Sequence, residues 1–348
     1  MKLAMLISPG VMEINRKAPI PEPGPGEVVV RVRAALTCGT DIKAYLRGHP
    51  KIPLPSPLGH EFSGDISAAG EGVAGFPPGT SVMAVHSAPC GECVFCMMGR
   101  ENLCNHIMDE KVLGAYGEYI KLPARVVKRN LFRKPEDLSY EEAAMLEPLS
   151  CIVHGIRAAR PGDADAKTAP ARNVLILGAG PIGLLHLMLH KAMGMKVIVA
   201  GRRKDRLDAA RGLGADVVLD TKLDNIAWGV IEATDGLGAD IVIEATGNKE
   251  LWEASPSFVR KGGTVLLFGG CPPGTRACFD AARIHYDEIK LVGAFHFTPA
   301  DVAEAYRLLA HGEIDVKPLI SGEYPLDDIQ KAFDELIAGR GIKYVIRP

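Results

Sequence analysis

Three groups of residues in this sequence have the composition and spacing that chemistry requires. The first lies in residues 88–104, APCGECVFCMMGRENLC, which hold four of the chain's eight cysteines. Cys90, Cys93, Cys96 and Cys104 follow the pattern C-x2-C-x2-C-x7-C. Four thiolates so spaced can surround one tetrahedral zinc ion of the closed, structural kind. The usual bacterial iron–sulfur run has three residues before its last cysteine and a proline after it. A C-x2-C redox pair would open a helix, and no segment with apolar helical periodicity follows Cys93. A disulfide staple belongs to an oxidising compartment, which nothing in the chain suggests. The four cysteines are therefore expected to hold structural zinc, which orders a loop poor in apolar residues.

The second group lies upstream. TCGTD (37–41) and LGHEF (58–62) supply Cys38, His60 and Glu61, one thiolate, one imidazole and one carboxylate. Catalytic zinc sites use three such ligands and keep one position open for water or substrate. A lone cysteine is most often a small buried hydrophobe, and a lone histidine a satisfied polar group. The combination carries the weight.

The third group is VLILGAGPIGLL, where Gly178, Gly180 and Gly183 form G-x-G-x-x-G around Pro181 and Ile182, directly after a strand and at a helix start. Such glycines allow a tight turn and bring a pyrophosphate to the helix N-terminus. About twenty residues on, an acidic side chain normally accepts from the ribose 2′-hydroxyl. Here VIVAGRRKDR puts Gly201 at that place, followed by Arg202, Arg203 and Arg206. Without a carboxylate there is no repulsion of a 2′-phosphate, and arginine supplies charge-assisted donors for one. NADP is predicted ahead of NAD. The Phe268, Gly269 and Gly270 turn after a later strand completes the expected cofactor contacts.

These groups need elements to position them, and 348 residues exceed one ordinary core, so two domains are expected. Residues 1–150 are β-rich. GEVVVRVRAAL alternates Val28, Val30 and Val32 with Arg31 and Arg33, the period of a half-buried strand. Proline and glycine clusters at 19–26, 53–59 and 75–79 cut the region into short pieces. From Ser139 a capping-box pattern opens helical spacing, and residues 160–172, RPGDADAKTAPAR, read as a surface loop. Between 173 and 293, six apolar runs alternate with helix-length segments, the rhythm of a doubly wound parallel sheet. Two amphipathic helices and the tail GIKYVIRP follow. With 40 basic and 42 acidic residues the net charge is −2, so no basic field suggests nucleic acid or a membrane surface. No apolar stretch approaches the length of about eighteen residues that a membrane span needs. MKLAMLISPG is too short before Pro9 for a secretory signal, which makes a cytoplasmic location the default.

Taken together, these motifs resemble the zinc-dependent medium-chain alcohol dehydrogenases over essentially the whole chain. GHEFSGDISAAGEGV (59–73) matches that family's zinc signature, and EPLSCIVHG (147–155) resembles its polyol (sorbitol) and threonine dehydrogenase branch. The resemblance implies an α/β protein. A GroES-like β-rich catalytic domain would comprise 1–150 and 294–348, and a Rossmann domain 151–293, with strand order 3-2-1-4-5-6 and the active site in the interdomain cleft. A homodimer or homotetramer through the Rossmann edge is implied as well. Cys38 and His60 would bind catalytic zinc, and Glu61 would bind it directly or alternate with water. Glu147 would be a fourth ligand or hold the zinc-bound water; a carboxylate amid AAML-PLSC would otherwise be costly to bury. The activity implied is hydride transfer between a secondary alcohol or polyol, or its ketone, and NADP(H), with zinc polarising the oxygen. A threonine-type amino-alcohol dehydrogenase is an alternative. So is a sugar-phosphate dehydrogenase, with Lys43, Arg47 and Lys51 as phosphate contacts. A non-catalytic NADPH-binding protein has no reason to keep an open metal site.

The chain departs from the family at two places. Relatives pair a Ser or Thr two residues after the zinc cysteine with a His three further on; Thr40 fits, but Lys43 replaces the His. A lysine near its reference pKa of about 10.4 is a poor proton carrier at neutral pH. The relay is open among a depressed Lys43, water, the ribose and His49, with Lys43 otherwise solvated or an anion contact. In GAFHF (293–297), His296 stands where sorbitol-type relatives carry Arg, which argues against a sorbitol-like substrate. His296 and Phe297 either line the substrate pocket or His296 is a polar loop residue. Cys151, Cys271 and Cys278 are expected to be buried apolar fillers.

Overall fold

The structure is a computed structural model that describes residues 1–159 and 172–348. The expected surface loop at 160–172 falls, apart from Arg172, outside the described residues. The chain forms two compact units, Met1–Cys151 with His296–Pro348, and Ile152–Phe295.

The first unit is built on a seven-stranded sheet. Its order runs Ile320–Pro325, Lys343–Arg347, Val28–Leu36, Glu61–Ala69, Ser81–Ala84, Leu131–Arg133, with Tyr119–Leu122 also paired to Val28–Leu36. Val28, Val30 and Val32 point into the core while Arg31 and Arg33 are exposed, as the alternation requires. The last strand pairs antiparallel with the end of Val28–Leu36, Val345 opposite Leu36. That pairing brings Lys343 to the chain just before Cys38, where its ammonium donates to the Thr37 carbonyl at 3.0 Å. Strand Ile320–Pro325 carries little sequence signal, because Gly322 and Pro325 interrupt it. Ser139 does cap the helix Tyr140–Ala143 in a capping box with Glu142, and the helix Leu146–Ala159 follows.

The second unit is a six-stranded parallel sheet. Its strands, in chain order, are Asn173–Leu177, Lys196–Gly201, Val217–Asp220, Ala239–Glu244, Val259–Leu267 and Lys290–Gly293. In space they run third, second, first, fourth, fifth, sixth. Val174, Leu175 and Ile176 are fully buried, as consecutive residues of a strand covered on both faces must be. The order reverses beside Asn173–Leu177, and ligands bind such sheets at the carboxyl ends of the strands at that point.

Candidate metal and cofactor sites

Cys38 caps the helix Gly39–Arg47 in an extended conformation, and Glu61 opens the strand Glu61–Ala69. Just before that strand, in irregular chain, Gly59 turns at φ +87, and a Cβ there would lie 2.8 Å from the Tyr116 nitrogen. Only glycine accepts both conditions. The turn sets His60 beside its partners, so that one ligand atom each of Cys38, His60 and Glu61 lies within 4.8 Å of the others. Asp41, fully buried one turn after Cys38, places Oδ1 3.3 Å from His60 Nδ1. The Tyr116 hydroxyl donates to its Oδ2 at 2.7 Å. A carboxylate behind a histidine fixes the ring and leaves Nε2 to a metal. Burial disfavours the His60 imidazolium, but Asp41 and Cys38 outweigh it and raise the proton affinity of His60 well above the ordinary value. The pocket therefore attracts positive charge.

Glu61 and Lys343 form a buried ion pair. Glu147, buried in the first turn of Leu146–Ala159, does not join the three-residue group; Oε1 lies 3.3 Å from His86 Nδ1. Burial opposes its ionisation, yet the bond from His86, with the nearby His60 and His296, brings its carboxyl down to about 2. Glu147 is thus no solvated charge at a helix start. His86, absent from the sequence reading, stands edge-on to His60 at 5.3 Å and to His296 at 5.1 Å. His296 takes φ +64, lies 2.5 Å from Ser87 Oγ through Nε2, and stacks on Phe297 at 4.0 Å. His296 and Phe297 therefore pack around His86, which is itself edge-on to His60. Cys151 is also part of this cluster, its sulfur 3.8 Å from Glu147 Oε1, and burial with Glu147 keeps it a thiol. The expectation that all three spare cysteines are buried fillers fails: Cys151 and Cys271 are half-buried and Cys278 is exposed, the last two in the irregular chain after the fifth parallel strand. Thr40 and Lys43 are exposed, three residues apart on one helix face.

The charges set a fit test for a metal. Asp41, Glu61 and Glu147 are buried carboxylates, and Lys343 is the one buried lysine or arginine among the described residues. Buried charge has to be paired. A divalent ion held by Cys38, His60 and Glu61 would balance the excess, and the thiolate–imidazole–carboxylate donor set suits zinc.

In the four-cysteine lobe the sulfurs stand 3.5 Å apart between Cys104 and Cys90, 3.6 Å between Cys93 and Cys96 and 3.9 Å between Cys90 and Cys96. All four lie within 4.8 Å of one another and none is bonded to another. Backbone N–H groups of Cys93 and His106 donate to Cys90 and Cys104 sulfur. The bond from the Cys96 N–H, then that from Asn105, draws the Cys93 thiol down to about 6. A single helical turn, Val94–Met97, follows Cys93. It buries none of its residues, which is why no apolar periodicity announced it.

In the second unit a cavity of about 420 Å³ opens at the reversal point of the sheet, lined in part by Gly178, Gly180, Gly201, Arg202, Arg203 and Arg206. Gly178 takes φ +110, and a Cβ on Gly183 would lie 1.8 Å from the Gly178 carbonyl oxygen. The two glycines let helix Pro181–Ala192 start flush against the strand. Pro181, Ile182 and Gly183 shape that start without lining the cavity. Phe268 turns inward instead, edge-on to His186 at 4.9 Å and over Gly155, where a Cβ would meet its ring at 2.9 Å. Gly269 and Gly270 also lie off the lining; the Gly269 carbonyl accepts from Trp252 Nε1 at 2.8 Å.

Comparison with known proteins agrees with both units. Residues 24–133 match the alcohol dehydrogenase GroES-like domain, and residues 181–311 match the zinc-binding dehydrogenase family. A sorbitol dehydrogenase of Halalkalibacterium halodurans is 34% identical over 341 residues, 96% of this chain and 95% of that one. The chain belongs to the zinc-binding alcohol dehydrogenases. A D-arabitol-phosphate dehydrogenase of Enterococcus avium is also 34% identical, over 94% of this chain and 91% of its own. Among solved structures, a Sinorhizobium meliloti protein described as a zinc-binding dehydrogenase, bound to NADP, superposes with a TM-score of 0.87. It is 31% identical, over 100% of this chain and 99% of that one.

In this zinc-binding alcohol dehydrogenase, then, sequence reasoning missed Asp41, His86, Tyr116 and Lys343. Asp41 carried a usable signal, as the acid in the first turn of the helix that Cys38 caps. Lys343 carried none, being 282 residues from Glu61. Replacing Lys343 with Met would leave Glu61 buried without its cation. The zinc-free protein should lose about 3–5 kcal/mol of stability, and added zinc should restore most of it by engaging Glu61. Denaturant unfolding with and without zinc measures both; an equal loss in the two states would mean that Glu61 does not reach the ion.

Proposed function

We propose that this enzyme transfers hydride between a secondary alcohol or polyol, or the matching ketone, and NADP(H). The observation that carries the reading is the convergence of Cys38, His60 and Glu61 within 4.8 Å, backed by buried Asp41. In this reading those three residues hold catalytic zinc with Glu147 close by, and Cys90, Cys93, Cys96 and Cys104 hold structural zinc. Bound at the first site, zinc supplies a Lewis acid for the substrate oxygen. Asp41 keeps the His60 ring in place, and Lys343 balances Glu61. Glu147, ionised against His86, is available to accept a hydrogen bond from a substrate hydroxyl or water. Thr40 passes the departing proton toward solvent on the face it shares with Lys43. Support for the polyol class comes from the relatives that act on sorbitol and arabitol phosphate.

NADP is favoured by the arginines of the cavity. Burial, then Arg203, lowers the proton affinity of half-buried Arg206, so an anion placed there would offset the cost of holding that cation. The relative bound to NADP points the same way. The double variant Arg202→Ala/Arg203→Ala should cut kcat/KM for NADP by about 100-fold, at about 1.4 kcal/mol per arginine, and leave NAD within a few-fold. Equal losses for both cofactors would remove the arginines from 2′-phosphate recognition.

Assembly through the outer edge of the parallel sheet at Lys290–Gly293, as a homodimer or homotetramer in the cytoplasm, belongs to the same reading. No helix among the described residues is long and apolar enough to cross a membrane. The decisive experiment pairs metal analysis with a cofactor-linked assay. About two zinc ions per chain and NADP-dependent oxidation of a polyol or secondary alcohol are expected. One zinc per chain and no turnover of any such alcohol would defeat the proposal.

A further inference from the structure

His86 lies beside the metal ligands without being one of them, and its surroundings fix which ring edge is free. The buried ring meets His60 edge-on at 5.3 Å, His296 at 5.1 Å and Phe297 at 5.7 Å. His296 is itself held through Nε2 at 2.5 Å from the hydroxyl of Ser87, the residue after His86. Three rings packed around a fourth hold its plane, and a side chain held in that way is ready to recognise a ligand group. All of these residues belong to the first unit.

The polar atoms of His86 are used unequally. Nδ1 is sealed from solvent and lies 3.3 Å from Glu147 Oε1. The same oxygen accepts from the Cys151 thiol at 3.8 Å. A carboxylate accepts, so the ring proton belongs on Nδ1 and the lone pair on Nε2. No described residue bonds Nε2 of His86 or Oε2 of Glu147, and neither atom is sealed as Nδ1 is. A ring nitrogen and a carboxylate oxygen, both acceptors, are thus left open next to His60. Two acceptors with no donor between them set a demand on the group that enters. A substituent carrying hydrogen-bond donors satisfies them, and an apolar one leaves them unpaired. A carboxylate brings further acceptors and a second negative charge beside Glu147.

We infer that His86 is a specificity-determining residue whose Nε2 accepts a hydrogen bond from the substituent next to the carbon being oxidised. The enzyme thereby selects alcohols whose neighbouring carbon carries a hydroxyl or an ammonium group, and it rejects 2-hydroxy acids. The inference rests on the reading of Cys38, His60 and Glu61 as the alcohol-oxidising site.

The test uses the zinc-loaded enzyme with NADP and four alcohols that share a secondary hydroxyl at C2 and differ in one substituent. They are propan-2-ol, propane-1,2-diol, 1-aminopropan-2-ol and lactate. The diol or the amino alcohol should exceed propan-2-ol in kcat/KM by about tenfold, the factor that one recovered hydrogen bond contributes. Lactate should fall below propan-2-ol. Which of the two favoured substrates leads tells hydroxyl from ammonium, and either result supports the inference. His86→Phe keeps a ring for its neighbours to pack against but carries no acceptor. In that variant the ratio of the leading substrate to propan-2-ol should fall about tenfold, through KM, with zinc still at about two per chain. His86→Gln, whose amide oxygen accepts near the place of Nε2, should keep most of the ratio. A ratio near one in the unmutated enzyme, a preference for lactate, or a ratio that His86→Phe leaves unchanged overturns the inference and leaves the dehydrogenase reading standing. A fall in His86→Gln as deep as in His86→Phe, with zinc retained, overturns it too, because ring packing and not Nε2 then sets the ratio. Should His86→Phe fail to fold or to hold zinc, the four substrates with the unmutated enzyme and with His86→Gln decide. Failure of all four alcohols and of longer polyols overturns the dehydrogenase reading itself, and the inference with it.

Discussion

Cys38→Ser and His60→Ala should each lower alcohol oxidation by at least ~10³-fold while the protein stays folded. A bound Lewis acid contributes several kcal/mol to the stabilisation of charge on the reacting oxygen, and each 1.36 kcal/mol is tenfold in rate. Losing one of three ligands leaves two protein donors, too few to hold zinc in a tetrahedral site. The zinc content should therefore fall from about two per chain to about one, the remaining ion belonging to the cysteine lobe. His60 has a further dependency, because its ring is held by Asp41, and Asp41 by Tyr116. Asp41→Asn should weaken zinc binding by about 10- to 100-fold without removing a ligand. Both ligands must be deprotonated to bind, so activity and zinc content should fall together on acidification. Metal analysis beside steady-state rates checks the whole set; turnover that survives loss of both Cys38 and His60 would end the enzyme assignment.

The second large effect concerns the lobe. From residue 90 to residue 103 only Asn102 is buried, so the lobe has no apolar core of its own. What holds it beyond the sulfurs is peripheral: Arg129 with Glu101 at 3.3 Å, half-buried, and Arg125 with the exposed Glu110 at 2.6 Å. Ion pairs that stay in reach of solvent contribute about 0–1 kcal/mol each. Zinc in isolated modules contributes about 10–16 kcal/mol of apparent binding free energy, as large as the net stability of a whole domain at about 5–15 kcal/mol. Cys93→Ser/Cys96→Ser should therefore release one zinc per chain, open residues 90–104 to protease and lower the thermal midpoint sharply. Cys278→Ser, at an exposed cysteine outside the lobe, should do none of these. Limited proteolysis with metal analysis distinguishes them, and an intact lobe in the double variant would show that protein contacts alone hold it.

Much of this molecule was legible as a string of residues, because the chemistry concerned is local. Cysteines two residues apart reach one ion wherever the lobe sits, and a glycine turn between strand and helix binds phosphate by its own backbone. The alternation of Val28, Val30 and Val32 with Arg31 and Arg33 announces which side of a strand is buried. Six apolar runs at helix-length intervals likewise announce a parallel sheet, since such strands are covered on both faces. Local patterning misled where burial was decided elsewhere. Phe268 follows a strand like a cofactor contact but fills the space left by Gly155, and Cys278 lies outside any element that would cover it.

Most of the electrostatic surroundings of Cys38, His60 and Glu61 were decided by the tertiary structure. Lys343 meets Glu61 because the last strand pairs with the one leading to Cys38, and the two residues are 282 apart in sequence. His296 reaches Ser87 across 209 residues, and Tyr116 reaches Asp41 across 75. Ligand identity is written into short motifs, whereas the charge and shape around the ligands are sums over residues that only long-range sheet pairing brings together.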